Sequence, residues 1–327
     1  MNEPRRQRGV ALVMAILVVA LATTAATALI SREALDVERT GNLIESDQAW
    51  AYVEGGEAWA RMILARDLKD NQTDGPKDDW AQLPPPIQVP GGYLAGHVED
   101  LQARFNLNNL VGADGKTDAR AMALFQRLLR RLGIEAGLAL AVADWIDPDV
   151  EARPPDGAED DFYAGLTPPY RTPNQPMQDV SELRLVRGVT PEIYDQLAPY
   201  VTALPEPTPI NLNTAPAVLV AAASEKLPED LVQEVLSRRA ERPFEKTADF
   251  FQDSRIRALQ LDAKAQEHFS TDSHYFLARV EARIGRGRAA SATVLQRARN
   301  GSVRILLRLA EAPPAPEAPA KTDSAPP

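Results

Sequence analysis

Residues 5–30 read Arg5-Arg6-Gln7-Arg8-Gly9 and then Val10-Ala-Leu-Val-Met14-Ala-Ile-Leu-Val-Val-Ala-Leu-Ala-Thr-Thr-Ala-Ala-Thr-Ala-Leu-Ile30. From Val10 to Ile30 there are 21 consecutive residues without a charge. As a helix they extend about 30 Å, the thickness of a bilayer core. Arg5, Arg6 and Arg8 precede the run, which predicts a cytoplasmic N-terminus and a chain that otherwise lies across the membrane. A cleaved secretory signal is the competing reading, with Ala22, Ala25, Ala26 and Ala28 as small residues for a cleavage site. Three features favour retention. The run is longer than the usual apolar core of a signal, about 7–15 residues. It holds no Pro or Gly. The helical composition also continues beyond it, from Ser31 to Leu68.

That continuation predicts one helix from Val10 to Asp67, about 87 Å long. Trp59, Met62 and Ile63 stand at i, i+3 and i+4 and share one helical face. Gly41 and the pair Gly55-Gly56 weaken the helix locally, each by about 1 kcal/mol relative to Ala. Trp50 and Trp59 read as packing residues of this helix. From Asp70 to Gly92 the prolines and glycines of Asp74-Gly75-Pro76, Pro84-Pro85-Pro86 and Pro90-Gly91-Gly92 predict a linker.

Strand signals are far apart. Tyr93 to Val98 reads as a strand. Tyr275 to Ile284, Ala289 to Gln296 and Ser302 to Leu309 read as three more, separated by Gly285-Arg-Gly287-Arg and by Arg299-Asn300-Gly301. The Asn-Gly pair is a strong hairpin signal. The long block between them carries helical periodicity, as in Ala121 to Leu132.

The Arg-Gln-Arg-Gly9 leader followed by Val10-Ala-Leu-Val-Met-Ala-Ile-Leu resembles the class III leader of type IV pilins and type II secretion pseudopilins. The resemblance implies cleavage between Gly9 and Val10 by a prepilin peptidase and methylation of the Val10 amine. Most such proteins carry Glu at the fifth mature position, where this chain has Met14. A carboxylate there costs roughly 2.5–3.5 kcal/mol in the bilayer unless paired. In the family it is thought to pair with the amine of the subunit above. Its loss is similar to the minor pseudopilin K family of the type II secretion system, proposed to cap the pseudopilus.

With that resemblance the expected fold is α+β. A pilin-like unit, with its long N-terminal helix on an antiparallel sheet, spans 31–108 and 272–311. A large α-helical domain is inserted at 109–271. Residues 1–9 form the leader, 10–30 the transmembrane part, and 312–327 a Pro-rich disordered tail.

The insert contains an internal echo: Phe105-Asn-Leu-Asn-Asn109 returns as Ile210-Asn-Leu-Asn-Thr214. Asn at such positions bonds nearby backbone and caps a following helix. Ser181 to Tyr194 and Ile210 to Phe251 resemble helix-hairpin-helix elements. Such elements often bind DNA phosphates through a Gly-x-Gly turn at a helix N-terminus. Here the turn is Gly188-Val189-Thr190, without the second Gly, and the net charge is −10. A packing or docking role for protein partners is the expectation, not nucleic acid.

The densest chemistry lies between Asp144 and Asp161, where eight carboxylates face the single base Arg153. Hard oxygen ligands in a Pro/Gly loop suit calcium, and a solvated acidic loop is the competing reading. The spacing is not that of an EF-hand: counting from Asp147, Ala152 takes the place of its Gly and Ala158 that of its Glu. Family members bind calcium through a stretch similar to Asp147-Pro-Asp149 and Gly157-Ala-Glu159-Asp160. The candidate ligands are Asp147, Asp149, Asp156, Glu159 and Asp160. Trp145 is expected to anchor the loop to the helical core.

No cysteine is present, which excludes disulfides, thiolate metal sites and cysteine nucleophiles. His97, His268 and His274 are scattered, and no triad spacing or phosphate loop accompanies the carboxylates. No enzyme is expected. The functional expectation is a minor pseudopilin at the tip of a periplasmic pseudopilus. It would be anchored in the bacterial inner membrane and partnered by other minor pseudopilins, with contacts to the secretin or cargo. The alternatives are a membrane-anchored DNA-uptake receptor and a minor pilin of a type IV pilus.

Overall fold

A computed structural model describes residues 5–259 and 265–311. The tail assigned to 312–327 lies outside the described residues. The apolar run and its continuation form one helix, α1 (Arg5–Asp70), of 66 residues. Its first half, residues 10–43, is exposed throughout, and Glu38 in it pairs with Arg286 in the turn between the later strands. Its second half buries Ala49, Val53, Gly56, Glu57, Ala60, Ile63 and Leu64, a stripe repeating every three to four residues. The stripe differs from the face read from sequence. Ile63 is in the core, but Trp59 and Met62 are exposed, because the small residues Gly56 and Ala60 are what the sheet accepts. A Cβ on Gly56 would stand 2.6 Å from Val280 Cγ1, so the glycine that weakens the helix is also what lets it approach.

After α1 come a 3₁₀ turn (Asp79–Ala81) and strands β1 (Ile87–Val89) and β2 (Gly92–Asp100). The stretch 70–92 is therefore not all linker. Pro90-Gly91-Gly92 is a hairpin turn whose first strand, only three residues long and preceded by three prolines, leaves no alternation to read. Next are β3 (Phe105–Asn106), α2 (Ala119–Arg131), α3 (Leu138–Ile146), α4 (Asp160–Tyr163), α5 (Pro191–Leu197) and β4 (Val201–Thr202). They are followed by β5 (Ile210–Asn211), α6 (Ala217–Ala221), α7 (Glu229–Glu241), α8 (Thr247–Phe251), α9 (Ser254–Ala258) and β6 (Phe269–Ser270). The chain then returns through β7 (Tyr275–Ile284), β8 (Gly287–Arg297) and β9 (Val303–Ala310).

The main sheet has the order β1-β2-β7-β8-β9, antiparallel throughout. Chain segments 178 residues apart, such as Glu99 and Leu277, are thus direct neighbours. One face holds α1, through Val53 against Val280 and Ile284 at one end and Leu64 against Phe276 and Leu295 at the other. The opposite face carries Leu277, Tyr275 and Ala292, covered by Leu101 and Leu204. The helices between β2 and β7 share one core that runs from Phe105 to Phe269. That core begins four residues before the expected boundary at 109.

The sequence echo has a matching geometry. Parallel pair β3–β4 starts one copy and β5–β6 the other. In the first copy Asn108 grips one backbone residue with both ends of its amide: Met177 N–H donates to Oδ1 at 2.8 Å and Nδ2 donates to Met177 O at 2.9 Å. In the second, Asn213 grips Phe244 in the same way at 2.8 and 3.1 Å. Asn106 and Asn211 each accept from the N–H two residues on, at 3.1 and 2.9 Å.

Candidate functional site

Helix α3 delivers the acidic loop. Asp144 lies in its last turn and Asp147 caps its C-terminus, so both carboxylates leave the same end of a buried helix. Neither side chain is exposed. Arg153 turns back onto them. Its Nη1 donates to Asp144 Oδ1 at 2.6 Å and to Asp147 Oδ2, its backbone N–H to Asp144 Oδ2 at 3.0 Å, and its Nη2 to Thr117 Oγ1 at 2.7 Å. Gly157 closes over this pair. A Cβ there would lie 2.2 Å from Asp144 Oδ2 and 2.4 Å from Arg153 O, so only glycine fits.

One oxygen from each of Asp147, Asp149 and Glu159 falls within 4.8 Å of the others. Asp147 and Glu159 are buried and Asp149 is exposed. Burial pushes the Glu159 carboxyl up to about 7; the Thr172 hydroxyl opposes this, and Asp144, Asp147 and Asp149 add to it. Burial also raises Asp147, against the pull of Arg153. Asp147 Oδ1 and Glu159 Oε1 are buried without a protein hydrogen bond. So is Asn174 Oδ1, whose amide Nδ2 donates to Asp149 O at 2.9 Å. Asn174 holds a left-handed φ of 48°, a conformation Asn tolerates better than most residues. Orphaned buried oxygens are costly and rare. Asp147, Asp149 and Glu159 thus bring hard oxygen donors together, with Asn174 tied to the backbone of Asp149.

The other two candidates lie outside this group. Asp160 Oδ1 accepts from Thr172 N–H and Oγ1, both at 3.0 Å, and Oδ2 faces Arg171 at 3.8 Å. Asp156 lies against the α3 N-terminus, where a Cβ on Gly137 would meet its Oδ2 at 2.0 Å. Asn174 is not among the residues the sequence singles out; its only signal is its place between two prolines, Pro173 and Pro176. Trp145 anchors the loop as expected. It is buried, meets Tyr163 edge-on at 5.4 Å, and donates to Glu182 Oε2 at 3.2 Å.

At the other end of the molecule, α1 carries a window of mean hydropathy 2.4, none of it buried. This length and composition fit a single-pass membrane anchor. A membrane-length helix whose far half lies on an antiparallel sheet is a pilin-type architecture.

Residues 103–206 and 210–272 each match a family described as type II secretion system (T2SS), protein K. The two matched stretches meet between β4 and β5, where the Asn-Leu-Asn pattern restarts. The chain is 35% identical over 316 residues to the type II secretion system protein K of Pseudomonas aeruginosa, covering 93% of each. With that of Aeromonas hydrophila it shares 36% over 327 residues, covering 94% of this chain and 98% of the relative. A chain in the crystal structure of the GspK-GspI-GspJ complex from the enterotoxigenic Escherichia coli type 2 secretion system superposes with a TM-score of 0.73 at 27% identity. The match covers 84% of this chain and 99% of that one. The chain belongs to the type II secretion system protein K family, and its role is that of a minor pseudopilin in type II secretion. The DNA-receptor and type IV pilus alternatives are not favoured.

Proposed function

We propose that this minor pseudopilin occupies the tip of the pseudopilus. The observation that carries the reading is Met14. It sits on the unburied, lipid-length part of α1, at the position where a pairing carboxylate serves subunits that have another subunit above them. An apolar residue there suits a subunit with none above. The chain spans the inner membrane once, with a cytoplasmic N-terminus and a periplasmic bulk. It matures by cleavage after Gly9 and methylation at Val10. The E. coli relative is found with GspI and GspJ, and by that likeness the partners here are other minor pseudopilins. Contacts with secretin or cargo belong to the same proposal.

The block between β2 and β7, residues 109–271, acts as an inserted helical domain whose bulk stands over the filament end. Val180–Leu185 with α5, and α6 with α7, serve in it as helix hairpins for packing and docking, not for DNA. No catalytic role is assigned.

Asp147, Asp149, Glu159 and Asn174 are the residues that would hold a structural calcium ion. Bound there, it would supply the positive charge that a buried loop with one arginine lacks. Arg153 keeps Asp144 and half of Asp147 in place, leaving Asp147 Oδ1 free for a cation. Copurification of the tagged full chain from detergent extracts tests the assembly reading. Recovery of other minor pseudopilins in fixed ratio is expected, and recovery of the chain alone would contradict it.

A further inference from the structure

A second group of carboxylates gathers far from the acidic loop, at the seam where α1 ends and the chain re-enters the sheet. Arg297, the last residue of β8, is buried there. It donates from Nη1 to Asp67 Oδ2 at 2.9 Å and from Nη2 to Asp74 Oδ2 at 2.5 Å. The remaining Nη bonds go to Leu64 O and Ser273 O, at 3.3 and 2.9 Å. Asp74 is tied through its backbone and one carboxylate oxygen: its N–H donates to Thr271 O at 2.9 Å, its carbonyl accepts from Asn211 Nδ2 at 3.0 Å, and its Oδ2 accepts from Ser273 N–H at 2.7 Å. These bonds join the end of α1, the helical block and the start of β7.

The charges at this seam do not balance. Asp67, Asp74, Asp78 and the buried Asp100 face Arg297 alone. Asp100 is satisfied by Ser273 Oγ at 2.7 Å, Thr214 Oγ1 at 2.6 Å and Asn211 Nδ2 at 3.1 Å. Of the other three, Asp78 Oδ2 accepts from Gly75 N–H at 2.7 Å, and Asp67 and Asp74 each give one oxygen to Arg297. Asp67, Asp74 and Asp78 each place one oxygen within 4.8 Å of the others. Asp74 has 0% exposure, yet its Oδ1 has no hydrogen-bond partner. Asn71 Nδ2 reaches Asp67 Oδ1 and Asp78 Oδ1 only at 3.4 Å. A cavity of about 220 Å³, lined by Asp67, Asp70, Asn71 and Asp78 among others, opens the Asp67 and Asp78 side of the cluster to solvent. The two bases at its rim are engaged elsewhere: Arg66 with Asp79 at 2.6 Å, and Lys77 with Glu241 O at 2.6 Å.

We propose that Asp67, Asp74 and Asp78 form a second divalent-cation site, taking a calcium-sized hard ion that bolts the end of α1 to the helical block. Calcium suits it better than magnesium. The oxygens are fixed in place by Arg297 and Ser273, and calcium accepts irregular sets of ligands where magnesium demands an octahedron. The site is independent of the acidic loop, and either can fail alone. The rival account of the orphaned oxygen is a proton shared between Asp67 and Asp74, which predicts no calcium binding here.

The test uses the full chain in detergent with Asp149→Asn, which weakens the loop group at its exposed member. Equilibrium dialysis against calcium should leave one tightly held equivalent in this chain, and none would overturn the proposal. Terbium serves as the second probe. Trp80, two residues from Asp78, should sensitise terbium emission, and calcium should quench it by displacement. Trp80→Phe should remove the emission while keeping the calcium equivalent. Asp78→Asn, with an unchanged circular dichroism spectrum, should lose both. Emission that survives Trp80→Phe, or a calcium equivalent that survives Asp78→Asn, would also overturn the proposal. If Asp78→Asn does not fold, the dialysis count and the Trp80→Phe emission decide the matter.

Discussion

Arg308 on β9 reaches across the sheet to Glu57 on α1, with Nε 3.0 Å from Oε1 and Nη2 2.5 Å from Oε2. The Glu57 side chain is 2% exposed, and the hydroxyls of Ser291 and Thr293 on β8 donate to its Oε1 at 2.8 and 2.6 Å. Apolar contacts alone let a helix slide along a sheet. A buried carboxylate with three fixed donors on two strands permits one register.

The cost of breaking this contact follows from what is left behind. Arg308→Met strands a buried carboxylate with only two hydroxyls, and should lower stability by about 1–3 kcal/mol. Arg308 is itself 41% exposed, so its own loss of charge adds little. Glu57→Gln keeps the shape and one acceptor and should cost less. Urea unfolding of the detergent-purified chain, followed by tryptophan fluorescence, measures both. An Arg308→Met chain as stable as the parent would contradict the register role.

Asn213→Asp is the parallel test inside the helical block. The aspartate matches the amide in size but cannot donate to Phe244 O, and it brings a charge into a site with 1% exposure. The expected loss is about 1–3 kcal/mol or more, and Asn108→Asp should behave alike through Met177. The same unfolding measurement applies. A loss at one site without the other would break the equivalence of the two copies.

Much of the scaffold was legible from local pattern. Strand β7 was read at both ends because Tyr275 and Ile284 bound a β-branched, aromatic run closed by Gly285. The membrane helix announced itself by length. The internal echo is visible as three residues, Asn-Leu-Asn, and its meaning is clear only through Met177 and Phe244. What stayed hidden depends on distant partners. Arg297 meets Asp67 and Asp74 across more than 200 residues of chain, and no spacing rule links them. In the acidic loop, residue type offered Asp147, Asp149, Asp156, Glu159 and Asp160 alike. Nothing local distinguishes the three whose oxygens converge from Asp156 and Asp160, whose oxygens are turned to Gly137 and Thr172.

Calcium should raise the melting temperature of the chain and EDTA lower it, since an ion bound only by the folded state stabilises it by about 2.7 kcal/mol at one hundred times its dissociation constant. Magnesium should do less. Asp149→Asn should remove part of the response and Asn174→Ala should weaken it. Asp156→Asn should leave it intact. Scanning calorimetry of metal-free protein decides this, and equal loss from Asp149→Asn and Asp156→Asn would return the loop to an unbound, solvated state.

Maturation offers a prediction that needs no variant. The intact mass of membrane-extracted protein should correspond to a chain starting at Val10 with one added methyl group. A mature chain beginning near residue 29 would mean an ordinary signal peptide and an unanchored subunit.

The central claim is that this subunit ends the filament. Gold labelling of a tag on the full chain, viewed on pseudopili by electron microscopy, tests it directly. Label at one end of each filament, unchanged in the Met14→Glu chain except for poorer recovery, is the predicted result. Label spread along the shaft, or an increase along the shaft with Met14→Glu, would contradict it.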